Sequence, residues 1–135
     1  MSVNPLDFWE SAKQTFGVAT IEVDYRNTSS RTYYSAFHVA LSTANKNKYP
    51  EVTAEGGEHE AIIQRLTKLI NKHPHAFLAR SAGILLSQMR KDRVKADYKI
   101  AENYIKDYSQ LQLDAFDTFM GKISEIDKLS SQTQK

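Results

Sequence analysis

Thr32-Tyr33-Tyr34-Ser35-Ala36-Phe37-His38-Val39-Ala40-Leu41-Ser42-Thr43-Ala44-Asn45 is the stretch whose reading decides the fold. Tyr33, Phe37, Ala40, Leu41 and Ala44 recur at steps of three and four, the period that lines one face of an α-helix. It is also the longest uncharged run, but Ser, Thr, Tyr and His interrupt it. It falls short of the roughly 18 apolar residues that a membrane span requires. The spacing predicts a packed helix of a globular domain, running from about Asn27 to Asn45.

Working outward, the same period recurs on both sides. Towards the N-terminus, Asn4 and Pro5 form a cap-and-first-turn signal, Leu6, Trp9 and Phe16 an apolar stripe, and Gly17 a stop. Thr20 to Asp24 is β-branched without a partner strand and reads as a connector. Towards the C-terminus, Lys46 to Gly57 has loop composition. Ile62, Ile63, Leu66, Leu69 and Ile70 then mark a third helix reaching Lys72-His73. Pro74 opens a fourth, with Phe77, Leu78, Ile84, Leu85 and Met89 as its apolar positions. A long fifth helix is predicted from about Asp97 to Leu129, carrying Tyr104, Ile105, Tyr108, Leu111, Ala115, Phe119, Ile123 and Ile126. Ser130 to Lys135 reads as a polar, frayed tail. No strand pattern and no internal repeat competes with this reading. The expectation is all-α: an up-and-down bundle of about five helices in a single domain over residues 1–135, with its core between about residues 4 and 129.

Composition narrows the chemistry. The 135 residues suit one domain, and 41% hydrophobic with 25% charged residues is a soluble globular mix. A net charge of +2 gives no bulk case for nucleic-acid binding, so any such case rests on local clustering. Without cysteine there is no disulfide, thiolate metal site or thiol nucleophile. The opening residues Met1 to Asp7 lack the basic and apolar regions of a signal peptide, so a cytoplasmic setting is expected. His73 and His75 flank Pro74 in a poor arrangement for joint ligation, and His38 and His59 lie on different predicted helices, so no metal is expected. Glu55, Glu58 and Glu60 lack calcium-loop spacing, and there is neither a phosphate-cradling glycine loop nor a serine nucleophile elbow. No cofactor is expected.

Two polar clusters remain. Arg90-Lys91-Asp92-Arg93-Val94-Lys95-Ala96-Asp97-Tyr98-Lys99 carries five basic and two acidic residues, placed where the bundle turns between two apolar segments. Its cations read either as a solvated helix end or as a phosphate site, because guanidinium groups donate in a planar fork. Tyr25 to Tyr34 offers Asn27 to Ser30 as capping chemistry for the second helix. Tyr33 and Tyr34 point about 100 degrees apart on a helix, so one of them is expected to reach a polar boundary through its hydroxyl.

Three ordered segments resemble one branch of the HEPN-domain family. Ser30-Arg31-Thr32-Tyr33-Tyr34-Ser35-Ala36-Phe37-His38-Val39-Ala40 resembles its "sRxYYxAFhxA" helix. Gly57-Glu58-His59-Glu60 followed by Ile62 is similar to the start of its next helix, and Met89 to Tyr98 resembles its "lRxxRxxADY" segment. The likeness spans about residues 25 to 125. It implies a helical domain that commonly dimerises. Many such proteins are metal-independent ribonucleases of toxin–antitoxin, CRISPR and anti-phage systems; others bind nucleotides or partner small nucleotidyltransferases. The ribonuclease members carry an Arg-x4-6-His motif assembled from two subunits. Here Arg93 fits the arginine, Tyr98 stands where the histidine belongs, and Ile100 stands where some members have a further tyrosine. Histidine has an ordinary pKa near 6.5 and tyrosine near 10, so Tyr98 would serve as a base at neutral pH only with a fall of roughly three units, about 4 kcal/mol.

The resemblance implies an RNA-directed protein of a toxin–antitoxin or anti-phage module, binding RNA or nucleotide phosphate, with cleavage left open. Arg93, Tyr98 and Asp97 form the expected centre, and Arg90, Lys95, Lys99 and Arg31 the phosphate contacts. His38 and His59 are candidate replacements for the missing histidine. The expected partners are a second copy, RNA, and a nucleotidyltransferase or other defence-module protein, with no membrane. Two alternatives stand beside this. One is a non-catalytic dimeric adaptor or inhibitor, in which Asp97 caps the fifth helix. The other is a structural subunit of a larger machine. The decisive geometry is whether the Arg93 guanidinium and Tyr98 phenol share one anion-accepting notch.

Overall fold

The computed structural model describes residues 4–133, which form five helices: α1 Pro5–Gly17, α2 Glu22–Lys46, α3 Gly57–Thr67, α4 Ala76–Tyr98 and α5 Lys106–Thr133. The described residues contain no strand, and the architecture is an all-α bundle. No helix among them is long and apolar enough to cross a membrane.

Asn4 caps α1 as its sequence predicts. Its side chain accepts from the Leu6 N–H at 2.9 Å, while Asp7 reaches back to the Asn4 N–H at 2.9 Å. Helix α2 is the central element and packs against each of the other four. It begins at Glu22, so the expected connector over Thr20 to Asp24 is partly helical. Glu22 and Asp24 lie in its first turn, where carboxylates favour the positive end of the helix dipole. Asn27 to Ser30 therefore sits inside α2 and caps nothing. Thr28 and Thr32 turn their hydroxyls back onto the carbonyls of Asp24 and Thr28, at 2.8 and 2.7 Å. Ser29 donates to the Ser109 hydroxyl at 3.4 Å and Ser35 to the Pro5 carbonyl at 2.9 Å, so all four hydroxyls are buried with partners.

The other boundaries also move. Helix α3 stops at Thr67, short of the expected His73, although Leu69 remains buried in the loop beyond it. Helix α4 starts two residues after Pro74, because the His75 N–H bonds the His73 ring and the Ala76 N–H bonds the His73 carbonyl. It then runs without a break through the basic cluster, where a turn between helices was expected; no Gly or Pro interrupts residues 84–98. Helix α5 begins at Lys106 rather than Asp97. Asp97 accordingly caps no helix start. Tyr104, expected on a helical stripe, is a buried loop anchor whose hydroxyl donates to Asp92 at 2.6 Å and lies against Ser29. Ser130 to Thr133, expected as part of a frayed tail, continues α5, and Ser130 meets Asn47; Gln134 and Lys135 lie outside the described residues.

Arg26, buried at the start of α2, explains where α4 ends. Its guanidinium donates to the carbonyls of Lys95, Ala96, Lys99 and Glu102 and pairs with Glu22 at 3.0 Å. It satisfies carbonyls that a helix C-terminus otherwise leaves open.

The core is built from Tyr33, Phe37, Leu66, Leu86, Met89, Phe116, Phe119, Ile123 and Ile126. Along α4, however, Ala76, Ala79, Ala82 and Gly83 face inward, so Phe77 and Ile84, expected in the core, are 77% and 54% exposed. Small residues win the inner face because the neighbouring helix comes close. A Cβ on Gly83 would lie 2.5 Å from Thr67 Cγ2 and 3.0 Å from Leu66 Cβ. Ile70, Leu111, Ile105 and Leu6, also expected on apolar faces, are exposed.

Candidate phosphate-binding site

The C-terminal half of α4 places Arg90, Arg93 and Asp97 at steps of three and four, on one face towards α2 and α3. On α2, Ser30, Tyr33 and Tyr34 follow the same spacing and meet them. The result is a polar and aromatic seam around the Arg93 guanidinium.

Arg93 Nη2 donates to the Tyr34 hydroxyl at 2.5 Å and reaches the Tyr98 hydroxyl at 3.4 Å. The guanidinium carbon lies 5.0 Å from the Tyr34 ring centre, 5.3 Å from that of Tyr98 and 6.0 Å from that of Tyr33. Asp97 completes the cage, with Oδ2 2.8 Å from Arg93 Nε, and Ser30 holds the same oxygen at 3.1 Å. That close approach is an ion pair without an aligned hydrogen bond, and the buried Nε–H has no acceptor among the described residues. Nη1 also has no hydrogen-bond partner among the described residues. Arg93 and Asp97 side chains are 12% and 24% exposed, whereas Tyr98 is 66% exposed and forms the outer wall of the cage. Burial opposes the Arg93 charge, but the Tyr34, Asp97 and Tyr98 oxygens outweigh it and hold its pKa above the ordinary value. The guanidinium is cationic at every working pH.

Arg90 pairs with Glu60 of α3 at 3.1 Å. Both border a groove of about 470 Å³ whose lining also includes Lys91, Val94 and Lys99. Arg31 lies across α2 from this groove, bonded to Thr15, in a second cleft shared with Phe8, Ser30 and Tyr34. Ser30 and Tyr34 thus separate the Arg31 cleft from Arg93. Lys95 turns to the Tyr108 ring, its ammonium 4.1 Å from the centre. Asp92 is withdrawn beneath Tyr104; burial raises its pKa against the hydrogen bonds from Tyr104 and Ser29.

The two histidines differ. His38 stacks on Phe8 with ring centres 5.6 Å apart and makes no contact with Arg93. His59 lies against Phe37 at 4.4 Å, and its Nδ1 is 2.7 Å from the Tyr33 hydroxyl. Burial lowers its pKa, and the Arg90 and Arg93 charges lower it further, so the ring is neutral at pH 7. Tyr33 is fully buried, burial pushes its phenol pKa up, and His59 is its hydroxyl's partner. The phenol proton therefore goes to Nδ1 and the ring proton sits on Nε2. In that tautomer the His59 ring has no free lone pair to act as a base.

Sequence reasoning brings Arg93, Asp97 and Tyr98 together and the structure does too; Arg90 and Lys99 border the adjoining groove. Lys95, Arg31 and His38 lie outside the cage. Tyr34 and Glu60 were missed as site residues. Both lie on other helices, 59 and 30 positions from Arg93 and Arg90, so no local sequence signal marked them. Among the described residues, no three of His, Asp and Glu converge as a metal-holding group. Comparison with protein-family models, curated proteins and solved structures finds no match to this chain.

Proposed function

We propose that this protein is a HEPN-like, RNA-directed binding protein that seats an RNA phosphate against Arg93 and does not cleave the strand. One observation carries the reading: the caged guanidinium reaches the exposed Tyr98 hydroxyl through Nη2 and keeps Nη1 without a hydrogen-bond partner among the described residues. A guanidinium edge donates in a plane that matches a phosphate oxygen pair, and a phenol supplies a further donor and a stacking face for a base. Lys91 and Lys99, beside the groove, extend the cationic track.

The ring tautomer of His59 supports binding without cleavage. A metal-free ribonuclease needs a base for the 2′-hydroxyl. Tyr98 stands where the resemblance puts the ribonuclease histidine, and His59, with Nδ1 engaged by the Tyr33 hydroxyl, has no free ring lone pair to offer. The setting in a toxin–antitoxin or anti-phage module, the cytoplasmic compartment and pairing with a second copy or a nucleotidyltransferase rest on the family resemblance alone.

The test is fluorescence anisotropy with a labelled single-stranded oligoribonucleotide in chelator-containing buffer, with gel analysis of the same samples. Arg93→Ala is expected to weaken binding about tenfold while circular dichroism keeps its helical signal, and the strand stays intact in both samples. Equal binding by Arg93→Ala overturns the site, and strand cleavage that Arg93→Ala abolishes overturns the non-cleaving reading.

A second reading has its own observation. The α1–α2 and α4–α5 junctions, tied together by Arg26, expose Val18, Ile21, Val23, Ile100 and Ile105. Exposed apolar side chains of this kind suit an adaptor that docks a protein. RNA binding lost with Arg93→Ala decides against it as the main role.

A further inference from the structure

The far end of α4 from Arg93 holds a second cluster that the RNA reading does not use. Helix α2 ends at Lys46, and Lys48 follows in a left-handed turn with φ 55°. The chain then returns to α4 through His73, Pro74 and His75. Lys46, Lys48, His73 and His75, with Asn47 and Ser130, line one cavity of about 320 Å³. His75 and Arg93 are 18 positions apart on the sequence, roughly 27 Å along a helix, so the two sites are separate.

The hydrogen bonds fix what this cavity offers. Tyr49 is buried, and its hydroxyl lies 2.8 Å from His75 Nδ1, with no other partner among the described residues. Burial pushes the Tyr49 phenol up to about 12, with the Asp127 carboxylate adding to the shift, so it keeps its proton and donates it to Nδ1. The His75 ring proton is thereby placed on Nε2. His73 is set the same way, because its Nδ1 accepts the His75 backbone N–H at 3.0 Å. With Nδ1 engaged as an acceptor, Nε2 is left as the donor of the His73 ring. His75 is only 5% exposed, yet its ring lines the cavity and its Nε2 has no partner among the described residues.

Charge points the same way. Lys46 and Lys48 are exposed, and neither has an acidic partner within 4.0 Å among the described residues. The first turn of α4 has no acidic residue and no side-chain cap, so the positive end of its dipole is not neutralised locally. Two ring N–H donors in place of lone pairs make the pair unsuited to a metal ion and suited to an oxyanion.

We infer that the junction of the α2 C-terminus with the α4 N-terminus is a second anion site, in which the His73 and His75 Nε2–H groups and the Lys46 and Lys48 ammonium groups receive a phosphate. The phosphate chemistry is common to two sources, a free phosphate and a backbone phosphodiester of RNA. A site that takes the diester would let one strand touch both ends of α4; a site that takes the free ion would bind a small ligand independently of RNA.

The experiment is long-range proton–nitrogen spectroscopy of the histidine rings in the full chain, titrated in separate arms with inorganic phosphate and with a dinucleotide lacking terminal phosphates. Before titration, both rings are expected as Nε2–H tautomers. In at least one arm the His75 Nε2 signal is expected to move and saturate. Lys46→Gln combined with Lys48→Asn removes both charges, and asparagine tolerates the left-handed turn. This variant is expected to lower the affinity about tenfold. Saturation by inorganic phosphate assigns the free ion, and saturation by the dinucleotide alone assigns RNA. An Nδ1–H tautomer at His75, no shift in either arm, or a shift unchanged in the double variant overturns the site. Failure here leaves the Arg93 reading standing, because no residue is shared.

Discussion

Asp97→Asn separates what holds Arg93 in place from what Arg93 is there to bind. Asparagine keeps the shape of the side chain and an oxygen for the Ser30 hydroxyl, but it removes the charge beside Arg93 Nε. Two unit charges about 4 Å apart attract by about 4 kcal/mol at an effective dielectric of about 20. Desolvation offsets part of this, and with side chains 12% and 24% exposed the solvent screens a further part. The net loss of stability is about 1–2 kcal/mol, which lowers the melting temperature by about 3–8 °C for a domain of this size. Binding should change in the opposite direction. An anion seated on Arg93 competes with the carboxylate for one guanidinium, so the uncharged variant is expected to bind a single-stranded oligoribonucleotide about three- to tenfold more tightly at low salt, with the gain shrinking as salt rises. The assay is thermal unfolding by circular dichroism with and without the oligonucleotide, alongside anisotropy. The added ligand should close part of the stability gap between variant and wild type, since ligand linkage scales with affinity. A variant that melts lower but binds no more tightly would refute the competition, and a variant that melts like wild type would refute the ion pair as a holding contact.

Other outcomes follow from the packing and the protonation states. Gly83→Ala forces a methyl to within 2.5 Å of Thr67 Cγ2 and 3.0 Å of Leu66 Cβ, so α3 and α4 must part. Chemical denaturation should show a loss of about 1–3 kcal/mol in spite of alanine's better helix propensity. His59 and His75 have pKa values lowered first by burial, and then by Arg90 and Arg93 for His59 and by His73 for His75. Between those folded values and about 6.5, the unfolded chain binds more protons than the folded one, so stability is complete above about pH 6.5 and falls as the pH drops below it. Urea midpoints measured from pH 7.5 to 5 should fall, and His59→Gln should flatten part of that slope; a midpoint independent of pH across this range would contradict the lowered values.

The legible parts of the fold were those with local chemistry. Asn4, Pro5 and Asp7 announce α1 by side-chain capping, and the Tyr33–Ala44 stripe announces α2. The start of α2 was missed because Ile21 provides no side-chain cap, and because Asn27 to Ser30, good capping residues in isolation, lie inside the helix, with Thr28 and Ser29 buried. Phe77 and Ile84 misled because hydrophobicity alone cannot reveal that Ala79, Ala82 and Gly83 are needed for close approach to α3. The end of α4 depended on Arg26, which acts from some seventy residues away in sequence and leaves no local mark. For the site, Arg93, Asp97 and Tyr98 share one short segment and could be read together. Tyr34 and Glu60 come from other helices, and only packing shows that they hold Arg93 and Arg90.

The most direct measurement follows the Arg93 side-chain nitrogens by proton–nitrogen spectroscopy while a single-stranded oligoribonucleotide is added in chelator-containing buffer. The expected result is that the Arg93 Nε and Nη signals move and saturate together with the anisotropy change, because the guanidinium edge beside Tyr98 receives the phosphate. Saturated binding with the Arg93 signals unmoved, and shifts confined to exposed lysines, would contradict it.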